Sequence, residues 1–171
     1  MLTIGAQRNA SLANLIDLLG QRLFGAAQDI LSKLLSTAAH IAGTLLGLGI
    51  EDIAIIRPAA DVFDPKVVRA TMGAVFSLRV KYYEDFSLYR MEHPVHALYP
   101  FMLDGSVMLE EATAKVQSPY ALVFGNEGSG LPPEYAQMGQ AVRIPHNDKI
   151  DSLNLSIAVG IGAYAFVHAK D

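Results

Sequence analysis

Residues 120–166, YALVFGNEGSGLPPEYAQMGQAVRIPHNDKIDSLNLSIAVGIGAYAF, place an apolar run, a Gly-rich polar turn, a second short strand and an apolar helix one after another. Tyr120 to Phe124 is uninterrupted apolar sequence between turn residues, which predicts a strand buried on both faces of a parallel sheet. Gly125 to Gly130 holds three glycines, which permit positive φ and bring main-chain N–H and C=O groups close to a bound molecule. Val142, Ile144 and Pro145 predict a second strand that ends in a polar loop over 146–151. A helix over 153–167 follows, with Asp151 or Ser152 as its N-cap. Leu155, Ile157, Val159, Ile161, Tyr164 and Phe166 cover its full turn, so it is expected to be buried all round.

Outward from this stretch the pattern repeats. Residues 1–6 (MLTIGA) predict a first strand, and apolar residues recur at helical spacing over 11–48 as two helices broken near 20–25. Ile53 to Ile56 predicts a second buried strand. Asp64 and Pro65 supply an N-cap and a first-turn proline for a helix over 66–76. Further strands are expected at 80–83 and 95–101, and a short helix at 110–116. Strands alternating with helices predict an α/β fold with a parallel sheet. At 171 residues a single domain suffices, burying about 70% of the surface of the unfolded chain.

Composition narrows the chemistry. There is no cysteine, which excludes disulfides, thiolate catalysis and Cys-based zinc or iron–sulfur sites. His93 and His96 flank Pro94 with no third ligand following, so they read as a loop pair and no metal site is expected. Residues 1–6 lack the basic start of a signal peptide, and 34–50 is too short and polar for a membrane span, which makes the cytoplasm the expected location. Hydrophobic residues reach 51% against 18% charged, and a homodimer is expected to cover part of that surface. The net charge is −4, unlike that of an autonomous nucleic-acid binder, so any RNA contact has to be local. The best local cluster is Arg57, Lys66, Arg69, Arg79 and Lys81, with Lys66 and Arg69 on one helix face as RNA-binding candidates.

Two stretches then carry a specific resemblance. Residues 124–131 (FGNEGSGL) and 144–156 (IPHNDKIDSLNLS) resemble the second and third motifs of the SpoU-TrmH family of SPOUT RNA methyltransferases, in order and suitably separated. Residues 64–76 (DPKVVRATMGAVF) are similar to the helix after that family's second strand. The resemblance implies a SPOUT fold over 1–171, with an atypical helical segment at 1–48 and a C-terminal trefoil knot within the cofactor-binding region 120–167. It implies S-adenosylmethionine as cofactor, transfer RNA or ribosomal RNA as substrate, ribose 2′-O-methylation as activity and a homodimer with the last helix at its interface.

By motif position, Gly125 borders the cofactor, Ile144 contacts the adenine through its main chain and Leu153 closes the pocket; Leu122, Asn126, Gly130 and His146 complete the implied cofactor-binding set. Ser152 and Asn154 match third-motif residues that line the reaction centre. Ser152 reads equally well as a helix cap, whereas Asn154 has less structural reason to begin an apolar helix. Glu127 reads as a loop organiser at the dimer interface rather than a base. The first motif departs from the family: counting back from Gly49, its Asn position is Thr37 and its catalytic Arg position is Gly43. His40, as a base, or Arg8 or Arg22, as a charge, stand as substitutes. The alternative is a catalytically silent cofactor- or RNA-binding module. A Rossmann oxidoreductase is disfavoured, because Gly-Asn-Glu-Gly-Ser-Gly does not keep the G-x-G-x-x-G spacing.

Overall fold

The computed structural model describes residues 2–6, 26–59 and 61–169. Five strands form the main sheet: β1 (Leu2–Ala6), β2 (Asp52–Ile56), β3 (Arg79–Tyr83), β4 (Ala97–Pro100) and β6 (Tyr120–Phe124). Their order is β3-β2-β1-β6-β4. The parallel pairs are β2 with β3 and β4 with β6, while β1 runs antiparallel to both β2 and β6. A parallel two-stranded pair, β5 (Val107–Met108) and β7 (Val142–Arg143), is joined to the β4 edge by a bridge between Phe101 and Val142. Every strand except β1 therefore points the same way, and their C-terminal ends share one edge.

The strands alternate between two cores, as a period of two requires. Ile53 and Ile55 of β2, Tyr120, Leu122 and Phe124 of β6, and Tyr99 of β4 face one side. There they pack under α1 (Ala26–Gly47) and α5 (Leu155–Val167), through Leu35, Ile41 and Leu45 of the first and Val159, Ala163 and Phe166 of the second. Ala54, Ile56, Leu98, Ala121 and Val123 face the other side. They meet α3 (Phe86–Glu92) and the 3₁₀ turn Pro133–Gln137 through Phe86, Tyr89 and Tyr135. Burial on both faces is what makes 120–124 read as continuous apolar sequence. Gly162 lets α5 settle onto the stacked Phe101–Phe124 pair, whose ring centroids are 4.3 Å apart; a Cβ there would come within 2.6 Å of Phe101 Cζ.

Several local expectations are corrected. The helix expected over 66–76 is α2 (Pro65–Ala70), with Asp64 capping it as read, and it stops because Met72 and Gly73 both take positive φ before a 3₁₀ turn at Ala74–Ser77. The last helix starts at Leu155, not 153, and neither Asp151 nor Ser152 is its cap: Asn154 Oδ1 accepts the Ser156 N–H at 2.9 Å and the Ser156 hydroxyl at 2.8 Å. Asn154 thus has a structural reason for its place. Nor is α5 buried all round in the single chain, since Ile157 is 53% and Tyr164 58% exposed. The described helix before Gly49 is α1 alone; the helix expected over 11–20 and the positions of Arg8 and Arg22 lie outside the described residues. The short helix expected at 110–116 is α4 (Leu109–Thr113).

Candidate active site

A cavity of about 520 Å³ opens at the C-terminal edge of the sheet. Three loops line it: Phe101 to Asp104 after β4, Phe124 to Leu131 after β6, and the stretch from β7 through Ile144 and His146 to Ser152, Leu153, Asn154 and Leu155. This is where a sheet of same-direction strands leaves main-chain groups for a ligand. The size falls within the roughly 300–1,000 Å³ of small-molecule sites.

The Gly-rich loop is held in one shape by its own atoms. Asn126 Oδ1 accepts the Gly128 N–H at 2.9 Å and the Ser129 N–H at 2.6 Å, closing an Asx turn. Gly130 takes φ +67°, and Gly130 N–H returns to Asn126 O at 3.2 Å. Gly125 lies so close to the Gly130–Leu131 peptide that a Cβ would overlap it. The loop on the other wall is equally tight, for a Cβ on Gly105 would sit 2.7 Å from Arg143 N.

Glu127 couples this loop to α1. Its Oε1 accepts the Thr37 hydroxyl at 3.0 Å, and its Oε2 lies 3.4 Å from Lys33 Nζ. Thr37 is 5% exposed, and the side chains of Glu127 and Lys33 are 15% and 69% exposed. Lys33 also lines the cavity. In the loop after β7 the Ile144 carbonyl can only accept, so His146 Nδ1, 3.0 Å away, donates to it.

The structure brings together Gly125, Asn126, Glu127, Gly130, Ile144, His146, Ser152, Leu153 and Asn154 at one cavity, from segments that the sequence separates. Leu122 is buried in β6, two residues behind the lining residue Phe124, and does not itself line the cavity. His40 is exposed on α1 and is not among the lining residues; Gly43 has no atom within 4 Å of where its Cβ would stand. Lys66 and Arg69 are exposed on α2, away from the lining. His93 and His96 stack at 4.7 Å and bond to the Tyr83 and Tyr89 hydroxyls, and no group of metal-holding side chains occurs among the described residues. Sequence reasoning missed Lys33. It also treated Thr37 as a loss, where a hydroxyl donates to the carboxylate; the signal was the four-residue Lys33–Thr37 spacing on one helix face.

Comparison with known proteins matches the profile of the SpoU rRNA methylase family to residues 38–164, which contain both loop motifs and most of the cavity wall. The chain belongs to the SpoU rRNA methylase family. Among its relatives is a 23S rRNA (adenosine(1067)-2'-O)-methyltransferase of Streptomyces laurentii, 28% identical over 77% of this chain and 50% of that one. An AdoMet-bound rRNA methyltransferase from Sinorhizobium meliloti superposes with a TM-score of 0.70 and 31% identity, over 77% of this chain and 51% of that chain. A structure solved for insight into 2-OH methylation of C/U34 on tRNA gives a TM-score of 0.68 at 29% identity, over 77% and 86% of the two chains. The chain spans about half the length of the curated relatives it matches first.

Proposed function

We propose that this SpoU-family chain is an S-adenosylmethionine-dependent RNA methyltransferase that modifies a ribose 2′-hydroxyl of transfer or ribosomal RNA and works as a homodimer in the cytoplasm. The observation that carries the reading is the cavity itself: both loop motifs of the matched family region converge on it, at the C-terminal ends of β4, β6 and β7. The cofactor fits its walls. Phe124, Leu131, Val142 and Leu155 give an apolar floor, while main-chain groups of 125–130 and 144–146 give polar contacts that need no side chain. Gly125, Gly130, Ile144, His146 and Leu153 would hold it. When bound, S-adenosylmethionine supplies an electrophilic methyl group on a sulfonium.

The chain's own contribution is placement and charge. Asn126 fixes the Gly-rich loop before any ligand arrives, which reduces the ordering cost of binding. Ser152 and Asn154 line the same cavity as Glu127, and we assign to them the orienting of the ribose. Asn154 Oδ1 is engaged by Ser156, so its Nδ2 is the atom left to donate. Lys66 and Arg69 are the exposed charges we assign to RNA phosphates. The knot implied by the resemblance belongs to the same proposal.

The homodimer reading rests on Ile157, Ile161 and Tyr164, which recur every three or four residues along α5 and form one exposed apolar stripe. Light scattering of Ile161→Glu is expected to shift the chain from dimer to monomer, and a parent that is already monomeric at micromolar concentration contradicts the reading. Consistent with a cytoplasmic location, no helix among the described residues is long and apolar enough to cross a membrane. Calorimetric titration with S-adenosylhomocysteine and transfer of radiolabelled methyl to unmodified transfer and ribosomal RNA test the function. A folded chain that binds the cofactor and labels no RNA supports the silent-module alternative.

A further inference from the structure

Among the described residues, Lys33 is the only lysine or arginine that lines the cavity. The resemblance calls for a catalytic cation in the first motif, yet its counted position is Gly43, which has no side chain. His40 lies seven residues beyond Lys33, about two helical turns along α1, and is exposed away from the cavity wall. Lys33 and Thr37 are one turn apart on α1, and each approaches a different oxygen of the Glu127 carboxylate. Thr37 makes a 3.0 Å hydrogen bond; Lys33 Nζ stands off at 3.4 Å with its side chain 69% exposed. An ammonium has three donors, so at least two remain for a ligand. Glu127 is largely buried, at 15% exposed, but the Lys33 ammonium is solvated, so Thr37 rather than Lys33 supplies most of the bracing and the lysine's charge stays available to the cavity.

We propose that the Lys33 ammonium is the positive charge of the reaction centre, supplied by the same chain that holds the cavity, and that Glu127, braced by Thr37, orients it. The inference rests on the 2′-O-methyltransferase reading above. The ribose oxygen forms its bond to the methyl carbon while the carbon–sulfur bond breaks, sulfur keeps the electron pair, and the hydroxyl proton passes to solvent water. The protonated Lys33 does not take that proton. It stabilises the negative charge that grows on the ribose oxygen, in a position fixed beforehand. Glu127 and Thr37 are positioning residues, because they act on the reaction through Lys33.

The test uses the full chain and the RNA that the parent methylates, with Lys33→Met and Lys33→Arg compared by single-turnover rate and by calorimetric affinity for S-adenosylhomocysteine. Lys33→Met is expected to lose at least about tenfold in rate with affinity changed by less than about twofold, the pattern of an interaction made in the transition state. Lys33→Arg is expected to keep the rate within about threefold, since charge is what it preserves. Equal rates in the parent and Lys33→Met overturn the inference and leave the proposed function standing. An affinity loss that accounts for the rate loss, or an arginine variant as slow as the methionine variant, also overturns it. A parent that binds S-adenosylhomocysteine but methylates no RNA overturns the proposed function and this inference together.

Discussion

Replacing Thr37 with Val tests whether α1 holds the Gly-rich loop through Glu127. Valine keeps the shape and β-branching of the side chain and removes only the hydroxyl, so packing at this 5% exposed position is conserved. The lost contact is a 3.0 Å hydrogen bond to a carboxylate, a class that contributes about 1.5–3 kcal/mol. Lys33 at 3.4 Å and the residual exposure of Glu127 offset part of the loss, which puts the expectation near the lower end, about 1.5 kcal/mol. For a chain of this length each kcal/mol moves Tm by roughly 2–4 °C, so a fall of about 3–6 °C is expected. Glu127→Met removes the acceptor instead. Because the two residues share one bond, the double variant should be more stable than the sum of the single losses implies, by about 1 kcal/mol or more. Chemical denaturation of the four proteins measures the cycle. Losses that add within about 0.5 kcal/mol would refute the coupling.

Gly125→Ala is expected to destabilise the chain by at least about 2 kcal/mol and abolish calorimetric binding of S-adenosylhomocysteine, because its Cβ overlaps the Gly130–Leu131 peptide; parent-like binding would show that the loop yields. Asn154→Ala should cost about 1 kcal/mol through loss of the α5 cap, whereas Asn154→Asp keeps the cap, so an Asp variant with parental Tm and a lowered methylation rate separates a role in the reaction from capping. Burial first, then His93 and Arg90, push the His96 pKa down to about 4. The unfolded chain therefore takes up the proton first, and stability complete above about pH 6.5 falls as pH drops toward 4. His96 is only partly buried, so roughly 1–2 kcal/mol is expected after allowing for solvent screening. His96→Asn should flatten thermal stability between pH 7 and 4.5, and unchanged slopes would count against burial as the cause.

Which parts of the molecule were legible follows from where their determinants lie. β6 and β2 were readable because burial on both faces leaves an uninterrupted apolar run, and Asp64-Pro65 marked the start of α2 because cap and first-turn proline are adjacent in sequence. The cavity loops were readable from their glycines and motif order. The antiparallel course of β1 was not, since no local pattern encodes strand direction. The end of α2 was missed because Met72 adopts a conformation its residue type does not advertise, and the start of α5 because three polar residues, Asp151, Ser152 and Asn154, all suit a cap and only the fold selects one. Lys33 escaped notice for a different reason: its four-residue spacing from Thr37 is visible in the sequence, but the carboxylate that gives the spacing meaning lies 94 positions away.

Site-resolved analysis of the methylated RNA bears most directly on the central claim. RNA labelled by the purified chain with radioactive S-adenosylmethionine would be hydrolysed in alkali and the products separated. A 2′-O-methyl group removes the hydroxyl that alkali needs, so the account predicts label in an alkali-resistant dinucleotide. Label in single nucleotides would place the methyl group on a base and contradict ribose 2′-O-methylation.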